Sequence, residues 1–252
     1  MKNVMITLVF LGVLAGCSDF EPVTAPEAAF SHNENADFKD EAPVRTFEVT
    51  VENLVEEGQY FTPPLVAIHR GAHKIFEEGR PASFGIQQIA ENGNLGPMMT
   101  TLGESRHVSS FDAAGGPVPS LGSATVSVTG EPGSQFVSVV SMLICTNDGF
   151  TGVSGAKLPN RVGEEVHLYA GAYDAGTEIN TQDFGDLVPP CQAITGIPQE
   201  DRVPGSGTSD PALAENGVVR HHEGILMDVG DLTPDFHGWS NPAARITVKR
   251  TG

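Results

Sequence analysis

The stretch Phe136-Val137-Ser138-Val139-Val140-Ser141-Met142-Leu143-Ile144 is almost continuously apolar, and it decides the fold class. A short, Val-rich apolar run of this kind predicts a central strand, here over 135–145, that is covered on both faces. Other segments alternate polar with apolar residues or are rich in β-branched residues, and most are bounded by Gly, Pro or Asn. These further predicted strands are 46–54, 65–69, 123–129, 165–170 and 244–249.

Helices have a minor place in the predicted architecture. Two short ones are predicted at 84–92 and around 97–102, where a Pro suits a first turn. The 29 Gly and 18 Pro residues are spread without a period, which disfavours a helical bundle. The segment 198–214 is rich in Gly, Ser, Pro and Asp and predicts a long loop. The pattern therefore predicts an all-β protein, a single antiparallel β-sandwich from about 44 to 252 with a few short helices in its connecting loops.

The net charge of the chain limits which classes of molecule it is expected to bind. The chain of 252 residues carries 32 acidic against 14 basic side chains, a net charge of −18. Nucleic-acid binding requires clustered Lys and Arg, so this composition argues against a nucleic-acid partner. An acidic surface suits a soluble domain outside the cell and, in places, divalent cations.

The N-terminal segment is typical of a bacterial lipoprotein signal. Lys2 precedes a 12-residue apolar run, and Leu14-Ala15-Gly16-Cys17 matches the lipobox. We expect 1–16 to be removed as a signal peptide and Cys17 to be lipidated; the alternative is a buried N-terminal strand or helix. Ser18 follows the cysteine in place of the Asp that retains many lipoproteins at the inner membrane. The expected location is therefore the outer membrane or the cell surface.

The segment 17–43 is predicted to be the lipidated cysteine followed by a flexible tether, because 18–43 carries seven acidic residues against one Lys. No other run approaches the roughly 18 consecutive apolar residues of a spanning helix, so we expect the lipid to be the only membrane attachment. With Cys17 modified, Cys145 and Cys191 are the remaining cysteines. They form either a disulfide, as in many exported chains, or two buried free thiols.

Two acidic motifs each follow a predicted strand. Thr146-Asn147-Asp148-Gly149-Phe150 comes directly after the central strand, and Tyr173-Asp174-Ala175-Gly176-Thr177-Glu178 comes after 165–170. Calcium prefers several oxygen ligands, and the end loops of a sandwich supply carboxylates and backbone carbonyls together. Asp148 and Asp174 are therefore candidate ligands. The alternative is that both aspartates bond only to their own backbone within turns.

Several segments in combination resemble the spondin domain, which occurs in extracellular matrix proteins of animals and in bacterial secreted proteins. The resemblance spans about 44–252 and implies a β-sandwich similar to C2 domains. The segments that carry it are Phe61-Thr62-Pro63-Pro64-Leu65-Val66-Ala67-Ile68-His69, Ser138 to Val153, Tyr173 to Glu178, and Asn241-Pro242-Ala243-Ala244-Arg245-Ile246-Thr247-Val248.

The resemblance also implies a calcium site built from two loop aspartates and an upstream glutamate. Asp148 and Asp174 fall on the matching positions. An ungapped reading puts Thr129 in the place of the glutamate, and Glu131, two residues on, is the expected third ligand, with Glu178 in reserve. In the animal domains the metal loops lie near an adhesive surface. We therefore expect a non-catalytic adhesion or scaffold protein whose partner is an unknown protein or glycan.

A second motif supports an alternative function, a metal-dependent hydrolase of the cell envelope. Either the same acidic loops or His221, His222 and Glu223, in the motif Arg220-His221-His222-Glu223-Gly224, could surround a more Lewis-acidic metal. Adjacent strand positions point to opposite faces, however, so one ion rarely takes both histidines, and a pair of surface histidines near a turn is the other interpretation. The sequence contains no nucleophile motif, so no enzyme is expected. Trp239 is expected to anchor the last strand at the core or its rim, with a carbohydrate platform as the alternative.

Overall fold

Two antiparallel sheets form the fold in this computed structural model, which describes residues 43–71 and 74–252. The predicted signal peptide, Cys17 and the predicted tether up to residue 42 lie outside the described residues. The strand order is β4-β1-β10-β7 in the four-stranded sheet and β3-β2-β5-β6-β8-β9 in the six-stranded sheet. The described part of the chain is thus the all-β sandwich that the sequence predicts.

The elements follow one another along the chain with short helices between the strands. The strands are β1 Arg45–Asn53, β2 Leu65–His69, β3 Val108–Ala113, β4 Ser123–Gly130, β5 Phe136–Met142, β6 Gly149–Lys157, β7 Glu165–Ala170, β8 Ala172–Asp174, β9 Arg220–His221 and β10 Ala244–Arg250. The α-helices are α1 Phe84–Asn92, α2 Gly96–Glu104, α3 Pro190–Ile194 and α4 Pro234–His237. Two 3-10 helices, Gln199–Asp201 and Pro211–Leu213, interrupt the predicted long loop. No helix among the described residues is long and apolar enough to cross a membrane.

Strand β5 lies in the middle of the six-stranded sheet and separates two apolar layers. Val137 and Val139 pack into the layer between the two sheets, which we call the inner layer. Val140 and Met142 pack on the opposite face, in what we call the outer layer, together with residues of α1, α2 and α3. Because successive strand residues point to opposite faces, a central strand apolar at nearly every position is what two covered faces require.

Two of the longer strands were not predicted, β3 and β6. Strand β6 reads Gly149-Phe150-Thr151-Gly152-Val153-Ser154-Gly155-Ala156-Lys157, and its glycines obscure the strand pattern. Position 152 of β6 requires glycine, because a Cβ atom there would lie 2.1 Å from the carbonyl oxygen of Val139 in β5. The close approach of β5 and β6 therefore depends on glycine, the same residue type that made β6 difficult to predict from the sequence.

Candidate metal site

The two candidate aspartates meet at one end of the six-stranded sheet. Asp148 precedes β6 and Asp174 ends β8, and these strands pair with Gly149 opposite Asp174. Next to this pair, the Ala175 N–H donates a hydrogen bond to the Asp148 carbonyl oxygen at 3.1 Å. Both aspartate side chains are buried. Strand pairing thus brings together two carboxylates that are 26 positions apart along the chain, 174 minus 148.

Asp148 uses its two carboxylate oxygens very differently. Oδ2 accepts hydrogen bonds from the Thr177 N–H at 2.7 Å, the Glu178 N–H at 3.1 Å and the Thr177 hydroxyl at 3.2 Å. Oδ1 is buried and has no hydrogen-bond partner. A buried oxygen left without a partner is unfavourable, because it has lost its water and gained nothing in exchange. One face of this carboxylate is therefore open to a proton or a cation.

The electrostatics of Asp148 agree with that geometry. Burial, followed by the charge of Asp174, raises the pKa of Asp148 to about 7. The hydrogen bonds from Thr177 and Glu178 act in the opposite direction, because they favour the ionised carboxylate. Near neutral pH the carboxyl group is thus divided between its protonated and ionised forms.

Asp174 is better satisfied than Asp148. Its Oδ1 accepts from the Gly176 N–H at 2.7 Å, and its Oδ2 accepts from the Asn180 side-chain amide at 2.8 Å and from Arg220 Nη2 at 3.0 Å. Burial raises the pKa of Asp174, and these three partners oppose the rise. Arg220 also pairs with Glu215 at 2.9 Å. A guanidinium group therefore already supplies positive charge on this side of the site.

Glu178 is a third carboxylate near this place, although the oxygens of Asp148, Asp174 and Glu178 do not all lie within 4.8 Å of one another. It is buried, and its Oε1 accepts from the Asp210 N–H at 3.2 Å. Burial, followed by the charges of Glu91, Asp148 and Asp186, raises the pKa of Glu178 to about 8. Glu91 in α1 also has a buried oxygen, Oε2, without a hydrogen-bond partner. The sequence did not predict that Glu91 lies close enough to Glu178 to affect its pKa. Nothing in the sequence pattern of α1 marks Glu91 as different from a solvent-facing residue.

Glu131 lies elsewhere. It is exposed in the turn between β4 and β5, whereas Asp148 follows the other end of β5. The seven residues of β5 separate the two places by about 20 Å, because a strand rises about 3.3 Å per residue. The expected third ligand is thus not brought to the two aspartates, and the reserve residue Glu178 is.

Comparison with known families gives one match. The family model described as Spondin_N, the spondin N-terminal domain, matches residues 53–184, which is more than half of the chain and contains Asp148, Asp174 and Glu178. The chain belongs to the spondin N-terminal domain family. No curated protein matches it.

A polar scaffold that the sequence did not reveal holds the acidic turn of this spondin domain. The Asn147 side-chain amide donates to the Thr181 hydroxyl at 3.1 Å, and Asn147 Oδ1 accepts from the Gln182 N–H at 3.1 Å. Gln182 in turn donates to the Val229 carbonyl oxygen at 2.8 Å. The segment after Glu178 is thereby tied to the turn after β5, so the acidic side chains have little freedom to move apart.

Cys145 and Cys191 form a disulfide in the structure, with their Cα atoms 5.0 Å apart. Of the two arrangements that the sequence left open, the spondin domain thus has the bonded one. The bond joins the turn after β5 to helix α3. It lies in the outer layer, three positions before Asp148.

The two adjacent histidines point to different surroundings. His221 is exposed, stacks on Tyr173 with ring centroids 5.1 Å apart, and has Nε2 3.8 Å from a Glu78 oxygen. His222 is buried, packs edge-on against Trp239 at 5.0 Å, and accepts the Gly224 N–H at Nδ1. Burial, followed by the charge of Arg220, lowers the pKa of His222 to about 4.

Glu223, the third member of that motif, is exposed, so the three side chains do not converge on one point. Trp239 is partly buried and packs against both apolar layers. This position agrees with the predicted anchor for the last strand.

Proposed function

We propose that this protein is a surface-anchored, non-catalytic lipoprotein whose spondin domain binds calcium and serves in adhesion or as a scaffold. The observation that carries the proposal is the buried, unpartnered Oδ1 of Asp148. A proton or a cation can offset the cost of burying it, and at a pKa of about 7 the two compete near neutral pH. Carboxylate oxygen is the ligand that calcium prefers.

Asp148 and Glu178 are the two residues best suited to hold the ion. Both carboxyl groups are buried, both have raised pKa values, and the charge of Asp148 acts on Glu178. Asp174 is the third proposed ligand, and there calcium would compete with Arg220 for the carboxylate. Glu178 thus takes the role that the sequence assigned to Glu131, because Glu131 lies at the other end of β5.

The proposed role of the ion is structural. Neutralising several like charges removes a repulsion that would otherwise separate the turn after β5 from the segment after β8. Exposed apolar side chains lie beside the acidic residues, Ile179 next to Glu178 and Val218 against Gly176. A cation that fixes these loops would fix this apolar surface as well, which suits recognition of a protein or glycan partner.

Calcium titration by calorimetry tests the proposal on chelator-treated protein. We expect about one ion per chain, loss of binding in Asp148→Asn and Glu178→Gln, and a higher melting temperature of the wild type with calcium. Glu131→Gln is the matched control, since it removes the same charge from an exposed turn, and it should bind like the wild type. Asp148→Asn binding calcium as tightly as the wild type would rule out the site.

The anchoring part of the proposal is checked separately. Cys17→Ser should move the protein from the membrane fraction to the soluble fraction, because it removes the acylated thiol. An unchanged distribution between the fractions would exclude the lipid anchor and leave the calcium site unaffected.

A further inference from the structure

We propose that reduction of the Cys145–Cys191 disulfide creates a second metal site, in which both sulfurs and a ring nitrogen of His237 bind a thiophilic divalent cation of the zinc class. The ligand atoms of these three buried residues all lie within 4.8 Å of one another. In the described ranges, 43–71 and 74–252, no other group of three or more His, Cys, Asp or Glu residues meets that criterion. The carboxylates of the proposed calcium site are not among them.

One ring nitrogen of His237 is not used in a hydrogen bond. Nε2 is buried and has no hydrogen-bond partner. Nδ1 lies 3.0 Å from the Thr233 N–H nitrogen and 3.3 Å from the Thr233 carbonyl oxygen, so the same residue serves either tautomer. With the proton on Nδ1 and donated to that carbonyl, Nε2 presents a free lone pair. A backbone carbonyl in this position is a usual support for a metal-binding histidine.

The three residues do not depend on the sulfur–sulfur bond for their positions. The side-chain amide of Gln59, which is fully buried, donates to the Cys145 carbonyl oxygen at 2.8 Å and to the His237 carbonyl oxygen at 3.0 Å. Gln59 also accepts from the Cys145 N–H at 3.0 Å. Cys191 is held by helix α3, where its own carbonyl accepts from the Thr195 N–H at 3.1 Å. None of these hydrogen bonds involves a sulfur atom, so opening the disulfide does not itself remove any of them.

Aromatic side chains restrict the orientation of the His237 ring. Phe236 and Phe184 pack edge-on against it, with ring centroids 5.1 Å and 6.2 Å away. A ligand held in one orientation loses little freedom when it binds a metal. The surroundings are apolar, which favours sulfur and imidazole ligands with a soft cation over the hard oxygen chemistry of the acidic site.

The chemistry balances with a dithiol as reductant. The dithiol gives two electrons and two protons to the Cys145–Cys191 bond, which leaves two thiols and the oxidised, cyclic form of the reductant. Binding of the divalent cation then releases both thiol protons to solvent. Two thiolates, one neutral imidazole and one divalent cation sum to zero charge, which a buried site tolerates. Three protein ligands leave one of the four positions of a zinc-type ion open.

Cadmium titration of the intact protein tests the inference. After reduction and anaerobic removal of the dithiol, we expect one cadmium ion per chain and the ultraviolet charge-transfer absorption of cadmium thiolates. His237→Gln should weaken binding by about tenfold or more, the scale on which perturbed metal sites lose affinity. His222→Gln is the matched control, because His222 is also buried with an unpartnered Nε2 and is absent from the cluster. Zinc should displace the cadmium and remove the absorption.

Three results would overturn the inference. One is the absence of thiolate absorption in the reduced wild type. Another is equal cadmium affinity in His237→Gln and His222→Gln. The last is loss of the far-ultraviolet β-sheet signal on reduction, since the site requires that the three residues stay assembled without the disulfide. Asp148→Asn should bind cadmium through the thiolates unchanged, which separates this site from the proposed calcium site.

Discussion

The two apolar layers of this molecule are built on opposite faces of the same sheet, yet they differ in chemistry. The inner layer, between the sheets, consists of alternate strand residues such as Phe47, Val49 and Ile246. The outer layer is closed by short helices and long loops, and the disulfide, Asp148 and Asp174 lie in it or directly adjoin it. A layer closed by two sheets has its backbone groups paired already, whereas loops bring unpaired N–H groups that can hold buried carboxylates.

The hydrogen-bond donors to the buried carboxylate of Asp148 come from the loops of the outer layer. The bonds to Asp148 Oδ2 come from the backbone and hydroxyl of loop residues after β8, and none comes from a strand of the four-stranded sheet. The inner layer can therefore provide stability without specificity for an ion.

The largest expected effect is a substitution in the inner layer. Phe47→Ala should lower the free energy of unfolding by about 3–5 kcal/mol, because it removes a fully buried aromatic side chain. Urea unfolding should show the same loss with calcium and with chelator. Phe84→Ala, at a position that is 65% exposed, should change stability by less than about 0.5 kcal/mol. A calcium-dependent loss in Phe47→Ala would show that the two layers are not independent.

The next effect concerns Asp148 and pH. Its pKa rises from 3.8 to about 7 on folding, so between these values the folded state binds more protons than the unfolded state. Without calcium, this group therefore stabilises the fold fully below about pH 4, and that contribution is lost as the pH rises through 7. The largest slope from one such group is about 1.4 kcal/mol per pH unit. Glu178, with a pKa of about 8, acts in the same direction.

Asp148→Asn should accordingly flatten the pH dependence of unfolding in chelator without abolishing it. Calcium competes with the proton, so its stabilisation of the wild type should grow from pH 6 to pH 8 and be absent in the variant. Glu131→Gln should keep both the slope and the calcium response. Chemical denaturation at a series of pH values measures these differences, and an unchanged slope in Asp148→Asn would contradict the assigned protonation.

The smallest of these effects is expected at Arg220. Arg220→Gln should lower stability by about 1–2 kcal/mol in chelator, since it removes a charged donor from the buried Asp174. Calcium should then recover more stability in the variant than in the wild type, because Asp174 becomes free to bind it. Arg245→Gln breaks the partly exposed pair with Glu52 and should change stability little, with or without calcium. Equal calcium responses in the two variants would show that Arg220 does not compete for the site.

Much of the fold was predictable from local pattern. The predicted strand 65–69 and the predicted helix 84–92 coincide with β2 and α1, and the central strand is confirmed as β5. Strand β6 escaped prediction because Gly152 is needed for close contact with Val139, and glycine normally counts against a strand. Strand β3 is partly buried at every position except the exposed Asp112, and it lacks the clear alternation that marks β1.

The candidate site was predictable in part. Two aspartates after strands were visible as turn motifs, and the spondin resemblance implied that both belong to one calcium site. The sequence did not show which of Glu131 and Glu178 lies near the two aspartates, because this depends on which end of β5 each loop reaches. Arg220 stood in the sequence beside two histidines and gave no sign of its pairing with Asp174.

The sequence by itself determined the fold class and the family, since alternation of apolar residues and short motifs are properties of the local chain. Only the tertiary structure decided which charged groups share a buried space. Burial, strand pairing and loop closure raise the pKa of Asp148, place Glu178 rather than Glu131 beside it, and place His237 against the disulfide. The physical reason is that these properties depend on distances between residues that are far apart along the chain, and no local pattern encodes such distances.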